Sequence, residues 1–199
     1  MNKKLASKIL GCTFALLVTV PGALLAQEKP ADMPASQSPA ASANPITQSE
    51  KGLYSFISGT VIAAAQKMPE ENYSFKPTPE VRSFGQIVGH VADAQYMFCS
   101  AAIGETMAPK DIEKNKTSKA DLVAAMKDGQ AYCVKAFASM TDAKAAETVK
   151  MMGFQMTRIS IFSLNTAHTD EHYGNLVTYL RLKGLVPPTS ENQSAPPAK

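Results

Sequence analysis

Apolar positions recur every three or four residues from Leu53 to Leu180, the period of helices that bury one face. The first run holds Leu53, Phe56, Ile57, Thr60, Val61 and Ala64 and stops at Met68, ahead of Pro69. Thr47-Gln-Ser-Glu50 before it has capping-box spacing: a hydroxyl for an orphan amide and a carboxylate three residues on. The second run, about 84–104, places Phe84, Ile87, Val88, Val91, Ala94, Met97, Phe98 and Ala101 on one face. Thr78-Pro79-Glu80 and Ser83-Phe-Gly-Gln86 both offer start signals for it. Ser118-Lys-Ala-Asp121 opens a third helix to about Met140, with Leu122, Ala125, Met126, Tyr132, Ala136 and Phe137 as its stripe. A fourth runs from about Met156 to Lys183, where Gly184 suits a C-terminal cap and Pro187-Pro188 forbids continuation. Residues 148–155 fit no period, and no stretch alternates clearly as a strand would. Four helices with one apolar face each bury those faces together, so the pattern predicts an all-α four-helix bundle over residues 46–186.

The ends of the chain read differently. Asn2-Lys3-Lys4, the apolar run Ile9 to Val20, the break at Pro21-Gly22 and Ala26 before Gln27 predict a signal peptide over 1–26. The alternatives are an uncleaved anchor, or a lipoprotein cut ahead of Cys12. Residues 27–45, with four prolines among Ala, Ser and Gln, form a Pro/Ala/Ser linker, and 187–199 a polar tail. Neither buries enough apolar surface to offset the entropy of ordering, so both are expected to be disordered. The expected location is therefore periplasmic or secreted, with membrane contact only if the N-terminal segment stays uncleaved.

Export alters the charge. Lys3, Lys4 and Lys8 are the only charged residues of the signal segment, so the other Lys and Arg equal the 17 Asp and Glu. A neutral chain has no basic footprint for phosphate backbones, which argues against nucleic acid as a partner. Cys99 and Cys133 remain after cleavage, an even pair in an oxidising compartment. They are open to two readings, one disulfide or two buried thiols that pack as small hydrophobes.

The chain has three histidines, His90, His168 and His172. The last two are spaced i, i+4 and share a helix face with Ile161, Leu164, Leu176 and Tyr179. His90 lies in the stripe of Ile87, Ala94 and Met97. All three therefore point inward, where each neutral imidazole needs a partner. A divalent cation satisfies all three at once and keeps a position open for water or a substrate atom, as in catalytic zinc sites. The alternative is three core histidines with hydrogen-bond partners. His168-Thr-Asp-Glu171-His172 also matches the H-x-x-E-H protease motif, but that motif belongs to a much larger fold. Glu171, rotated about 100° from His172, fits a solvated or ligand-supporting role better than a general base, and Asp93, Asp170 and Tyr173 fit surface or packing roles better than chemistry.

Three segments carry a family resemblance. Ser83-Phe-Gly-Gln-Ile-Val-Gly-His90-Val-Ala-Asp-Ala, His168-Thr-Asp-Glu-His-Tyr-Gly174-Asn-Leu and Tyr179-Leu-Arg-Leu-Lys-Gly184-Leu-Val-Pro-Pro188 resemble the DinB/YfiT-like superfamily. The resemblance implies a bundle of up-down-down-up topology that binds Zn or Ni through three histidines, often as a homodimer. By carry-over the ligands are His90, His168 and His172. That topology makes the second and third helices parallel and brings Cys99 and Cys133 to similar height, each 15 residues beyond its helix start. In antiparallel neighbours they would be offset by roughly 15 Å and could not bond. Characterised relatives include transferases and isomerases that use cytoplasmic thiols, from which the expected export sets this chain apart.

The resulting expectation is an exported DinB-like metal-dependent enzyme hydrolysing a small molecule of unknown identity. The alternatives are a non-catalytic metal- or ligand-binding bundle related to stress and a thiol-dependent transferase.

Overall fold

The computed structural model describes residues 43–107 and 109–193 of the chain. The expected signal segment and the linker before residue 43 lie outside the described residues. Four long helices carry the fold: α1 (Pro45–Lys67), α2 (Phe84–Ile103), α3 (Lys119–Ala138) and α4 (Arg158–Leu182). Single-turn helices at Ile112–Asn115 and Asp142–Ala145 and a hairpin of β1 (Thr148–Met151) and β2 (Phe154–Thr157) join them.

Local chemistry sets most of the boundaries. At α2 the Ser83 hydroxyl accepts the Gln86 N–H while the Gln86 side chain accepts the Ser83 N–H, so this capping box forms as read. Gly104 closes α2 in the left-handed region at φ 81°, where a Cβ would be strained. Ser118 and Thr157 cap α3 and α4 through backbone amides three residues on.

Other signals are overruled. Thr78-Pro79-Glu80 forms a turn rather than the start of α2. The Thr47–Glu50 box does not cap α1, because that helix already begins at Pro45 and Thr47 lies inside it, buried. The orphan amides of Ile46 and Thr47 instead reach the Asp142 carboxylate, at 3.1 and 2.8 Å, from the far side of the sequence. Residues 148–155, which fit no period, and the first two positions of the helix expected from Met156 pair as an antiparallel hairpin from Thr148↔Thr157 to Met151↔Phe154, turning at Met152-Gly153. The hairpin delays α4 to Arg158. The C-terminal segment expected to be disordered from 187 forms a 3-10 turn at Pro188–Gln193. Thr189 bonds the Tyr173 hydroxyl, Ser190 accepts from Arg181, and Glu191 pairs with Lys67.

Each of α1 and α2 packs against both α3 and α4. One core cluster joins the end of α1 (Val61, Ala65) to the starts of α2 (Phe84, Val88) and α3 (Leu122, Met126) and the end of α4 (Leu176, Leu180). A second joins Tyr54 of α1 to the later turns of α2 and α3 and the first turn of α4. The helices therefore run up-down-down-up, with α2 and α3 parallel. Cys99 and Cys133 stand level and are disulfide-bonded, with a Cα–Cα distance of 5.3 Å.

The buried face of α1 is Tyr54, Ser58, Val61, Ile62, Ala64 and Ala65, so Val61 and Ala64 of the expected stripe lie inside while its earlier positions are rotated away. Leu53 and Phe56 are 52% and 62% exposed. Met97 of α2 and Leu164 of α4, both expected inside, are also exposed.

A polar side chain crosses the bundle centre. Gln95, fully buried, accepts from the Tyr54 hydroxyl at 2.8 Å and the Asn165 amide at 3.0 Å. It donates to the Val91 carbonyl at 3.1 Å and the Thr169 hydroxyl at 3.2 Å. Gln95→Leu strands the Tyr54 and Asn165 donors, and the expected loss is about 2–4 kcal/mol in urea unfolding. Cys99→Ala/Cys133→Ala opens a 34-residue loop and should cost about 3 kcal/mol. An unchanged midpoint in either variant would contradict these assignments.

Candidate metal centre

Helices α2 and α4 are antiparallel neighbours, so His90 meets the i, i+4 pair of α4. His90 Nε2 lies 3.1 Å from His168 Nε2, and His172 Nε2 lies 3.2 Å from the same atom. The three ligand atoms all fall within 4.8 Å of one another. Two nitrogens 2.0–2.1 Å from one tetrahedral zinc would stand roughly 3.3 Å apart. Two edges of the triangle thus have the length of a coordination-face edge. Hydrogen bonding alone does not satisfy the triangle, because Nε2 of His168 has one in-plane site, a proton or a lone pair, and faces two neighbours.

The opposite ring nitrogens show what holds the imidazoles. Nδ1 of His90 is 3.2 Å from Glu113 Oε2. Its N–H donates to the carboxylate, leaving the Nε2 lone pair for an ion. Nδ1 of His172 is 3.3 Å from the Asn175 side-chain amide, which serves as donor or, flipped, as acceptor. Nδ1 of His168 is buried with no hydrogen-bond partner, so packing alone orients this ring.

Glu113 is itself fixed. Arg82 Nε donates to its other oxygen at 2.8 Å. The backbone N–H groups of Ile112 and Glu113 both donate to Asp93 at 2.9 Å. Asp93, one helical turn beyond His90, thereby docks the Ile112–Asn115 turn onto α2. Gly89 makes room for it, since a Cβ there would come within 2.7 Å of the Glu113 Cα. Neither Glu113 nor the role of Asp93 was legible in the helical stripes, because Glu113 lies on a connecting segment. Gly89-His90-x-x-Asp93 was the available signal. Asp170 and Glu171 are exposed, and Tyr173 packs inside with its hydroxyl on Thr189.

Burial, then the neighbouring imidazoles His172 and His90, push His168 down to about 4. Burial and His90 also lower His172, against the opposing charges of Glu171 and Glu113. Both rings are therefore held neutral near pH 7, the form that ligates a metal.

A cavity of about 610 Å³ opens beside the triangle, with His90 and His168 in its wall. Tyr96, Met97, Lys110 and Lys150 also line it. That volume lies within the range of small-molecule sites.

The depressed His168 pKa has a definite pH signature in the ion-free protein. An unfolded histidine takes up a proton near pH 6.5, while folded His168 resists until about 4. Its contribution to stability is thus fully present above pH 6.5 and is lost as pH falls through that window. Urea midpoints measured in chelator should drop over this range, with a shallower slope in His168→Gln. Equal slopes would contradict the buried neutral ring.

The DinB superfamily model matches residues 59–176, a span that includes all three histidines. The fold is similar to a DinB-like protein from Bacillus cereus ATCC 10987, with a TM-score of 0.63 and 16% identity over 72% of this chain and 94% of that one. It is similar also to a DinB-like protein from Bacillus subtilis, with a TM-score of 0.58 and 20% identity over 68% and 92% of the two chains. No match to a curated protein is found. Since the family model covers more than half the sequence, and the bundle and its topology agree with it, the chain belongs to the DinB superfamily.

Proposed function

We propose that this protein is an exported metal-dependent enzyme that holds one divalent cation, Zn or Ni, through His90, His168 and His172. The reaction class is hydrolysis of a small molecule seated in the adjoining cavity. The observation that carries the reading is the convergence of three Nε2 atoms, two of the pairs 3.1 and 3.2 Å apart, at the wall of that cavity. A cation bound there supplies Lewis acidity toward a polar bond of the substrate. The chain's own residues set its surroundings. Glu113 fixes the tautomer and direction of His90, while Asp93 and Arg82 hold Glu113. Burial keeps His168 and His172 unprotonated.

Export is supported by the N-terminal sequence pattern and by the Cys99–Cys133 disulfide, since such bonds persist in oxidising compartments. Association into a homodimer is supported by Ile46, Leu53 and Phe56, exposed at helical spacing on α1.

A second reading, metal or ligand binding without turnover, has an observation in its favour. The carboxylates nearest the histidines are already engaged, Asp93 by two backbone amides and Glu113 by His90 and Arg82. Neither is free to act as a general base.

The test is metal content of tag-free protein. About one Zn or Ni per chain is expected, with loss of the ion in His168→Ala and about 10–100-fold weaker binding in Glu113→Gln. Metal-dependent turnover of ester or amide substrates, absent in His168→Ala, would then separate the enzyme from the binder. No bound ion, and no thermal shift with Zn, Ni or Mn, would refute the metal site.

A further inference from the structure

The wall of the cavity has a chemical polarity that the histidines do not explain. Its apolar part comes from Met97 and Ala101 on α2 and Val149 on β1. Its cationic part comes from Lys110, on the segment before the Ile112–Asn115 turn, and Lys150, on β1. Lys110 lies over the Tyr96 ring, 5.1 Å from its centroid, which confines the ammonium without neutralising it. The Lys150 ammonium has no hydrogen bond or ion pair among the described residues. The acids of the same wall are differently placed. Both oxygens of Asp93 accept backbone amides, and Glu105 accepts the Tyr132 hydroxyl at 2.8 Å. Asp111 is exposed. Two lysines without an ion-pair partner among the described residues therefore face a cavity whose wall is apolar at Met97, Ala101 and Val149 and acidic at Asp93, Glu105 and Asp111, with His90 and His168 also at its surface.

We propose that this cavity takes a small amphiphilic anion, its apolar body against Met97, Ala101 and Val149 and its anionic group on Lys110 and Lys150. This deepens the proposed function and rests on it for the reacting end of the ligand only. The anion contact stands on the lysines. A neutral molecule with the same body forgoes both charge contacts, so the site discriminates by charge more than by shape.

The probes are 8-anilinonaphthalene-1-sulfonate and N-phenyl-1-naphthylamine, which share a body and differ by the sulfonate. Binding to the purified protein is followed by fluorescence, with zinc and in chelator, and metal content is measured on the same samples. In Lys110→Met/Lys150→Met the sulfonate is expected to bind about five- to tenfold more weakly, as two partly exposed ion pairs allow, and the neutral probe within about twofold of the original protein. Met97→Trp, at an exposed position, should narrow the cavity and weaken both. A sulfonate affinity unchanged by the double substitution would overturn the proposal. So would binding unaffected by Met97→Trp, which would place the probe elsewhere. Loss of charge selectivity with metal still bound defeats the anion site and leaves the metal site standing. Selectivity retained in protein that binds no metal does the reverse.

Discussion

Gln95 is the side chain on which the register of the bundle depends. A buried primary amide offers two donors and an acceptor oxygen, and leaving any of them unmade in the core costs about 1–3 kcal/mol. Here they are met by α1 through Tyr54, by α2 through the Val91 carbonyl, and by α4 through Asn165 and Thr169. An apolar core tolerates helices that slide by a fraction of a turn. This one does not, because a slide would break several bonds of one amide at once. Thr169 follows His168 directly and Asn165 precedes it by three residues, while Gln95 lies on the same helix as His90. The polar contact therefore fixes the height at which the two histidine-bearing helices meet. The disulfide fixes α3 against α2 at nearly the same level, and the Asn165 amide also lies 3.5 Å from both of its sulfurs.

With register fixed, the histidine triangle becomes a question of solvation. Two rings are half-buried, His172 is buried, and Nδ1 of His168 has no partner. Protonating His168 would place a cation against two other imidazoles and within reach of the Arg82 charge, which is why its pKa falls so far. Neutral rings avoid that repulsion, but the single Nε2 site of His168, proton or lone pair, cannot satisfy both neighbours at 3.1 and 3.2 Å. A divalent ion removes the conflict, since it attracts all three lone pairs. The same burial that destabilises the protonated form thus favours the ligating one. Three satisfied core histidines would instead each show a separate hydrogen-bond partner, as His90 has in Glu113 and His168 lacks.

The helices and the three histidines were legible because their signals are local: serine caps, glycine stops, and histidines at period 3.6. The direction of the α1 face was less so. Its buried positions mix Tyr54, Val61 and Ile62 with the small or polar Thr47, Ser58, Ala64 and Ala65, while Leu53 and Phe56 face outward. A hydrophobicity pattern ranks side chains by size and polarity, and so it selects the wrong face when a tight helix contact demands small ones. The Asp142 cap of α1, the Asp93–Glu113 support and the Gln95 bonds were illegible for a different reason. Each joins residues far apart in sequence, and an isolated Gln or Asp carries no periodic signature. The hairpin at Thr148–Thr157 was missed because four-residue strands are too short to establish alternation.

The hairpin also determines what kind of site this is. A bundle with four helices and tight connections would close over its histidines and leave them a structural role. Here β1 lies against α2 and contributes Val149 and Lys150 to a cavity that reaches His90 and His168. On the opposite wall the connection from α2 to α3 bends inward through the Asp93–backbone contacts and brings Lys110 over Tyr96. Both segments are irregular relative to the bundle, and both present lysine to the same space. The geometry of the three histidines needs only α2 and α4. The cavity beside them is shaped by these two segments, one of which, the hairpin, had the sequence pattern that was hardest to read.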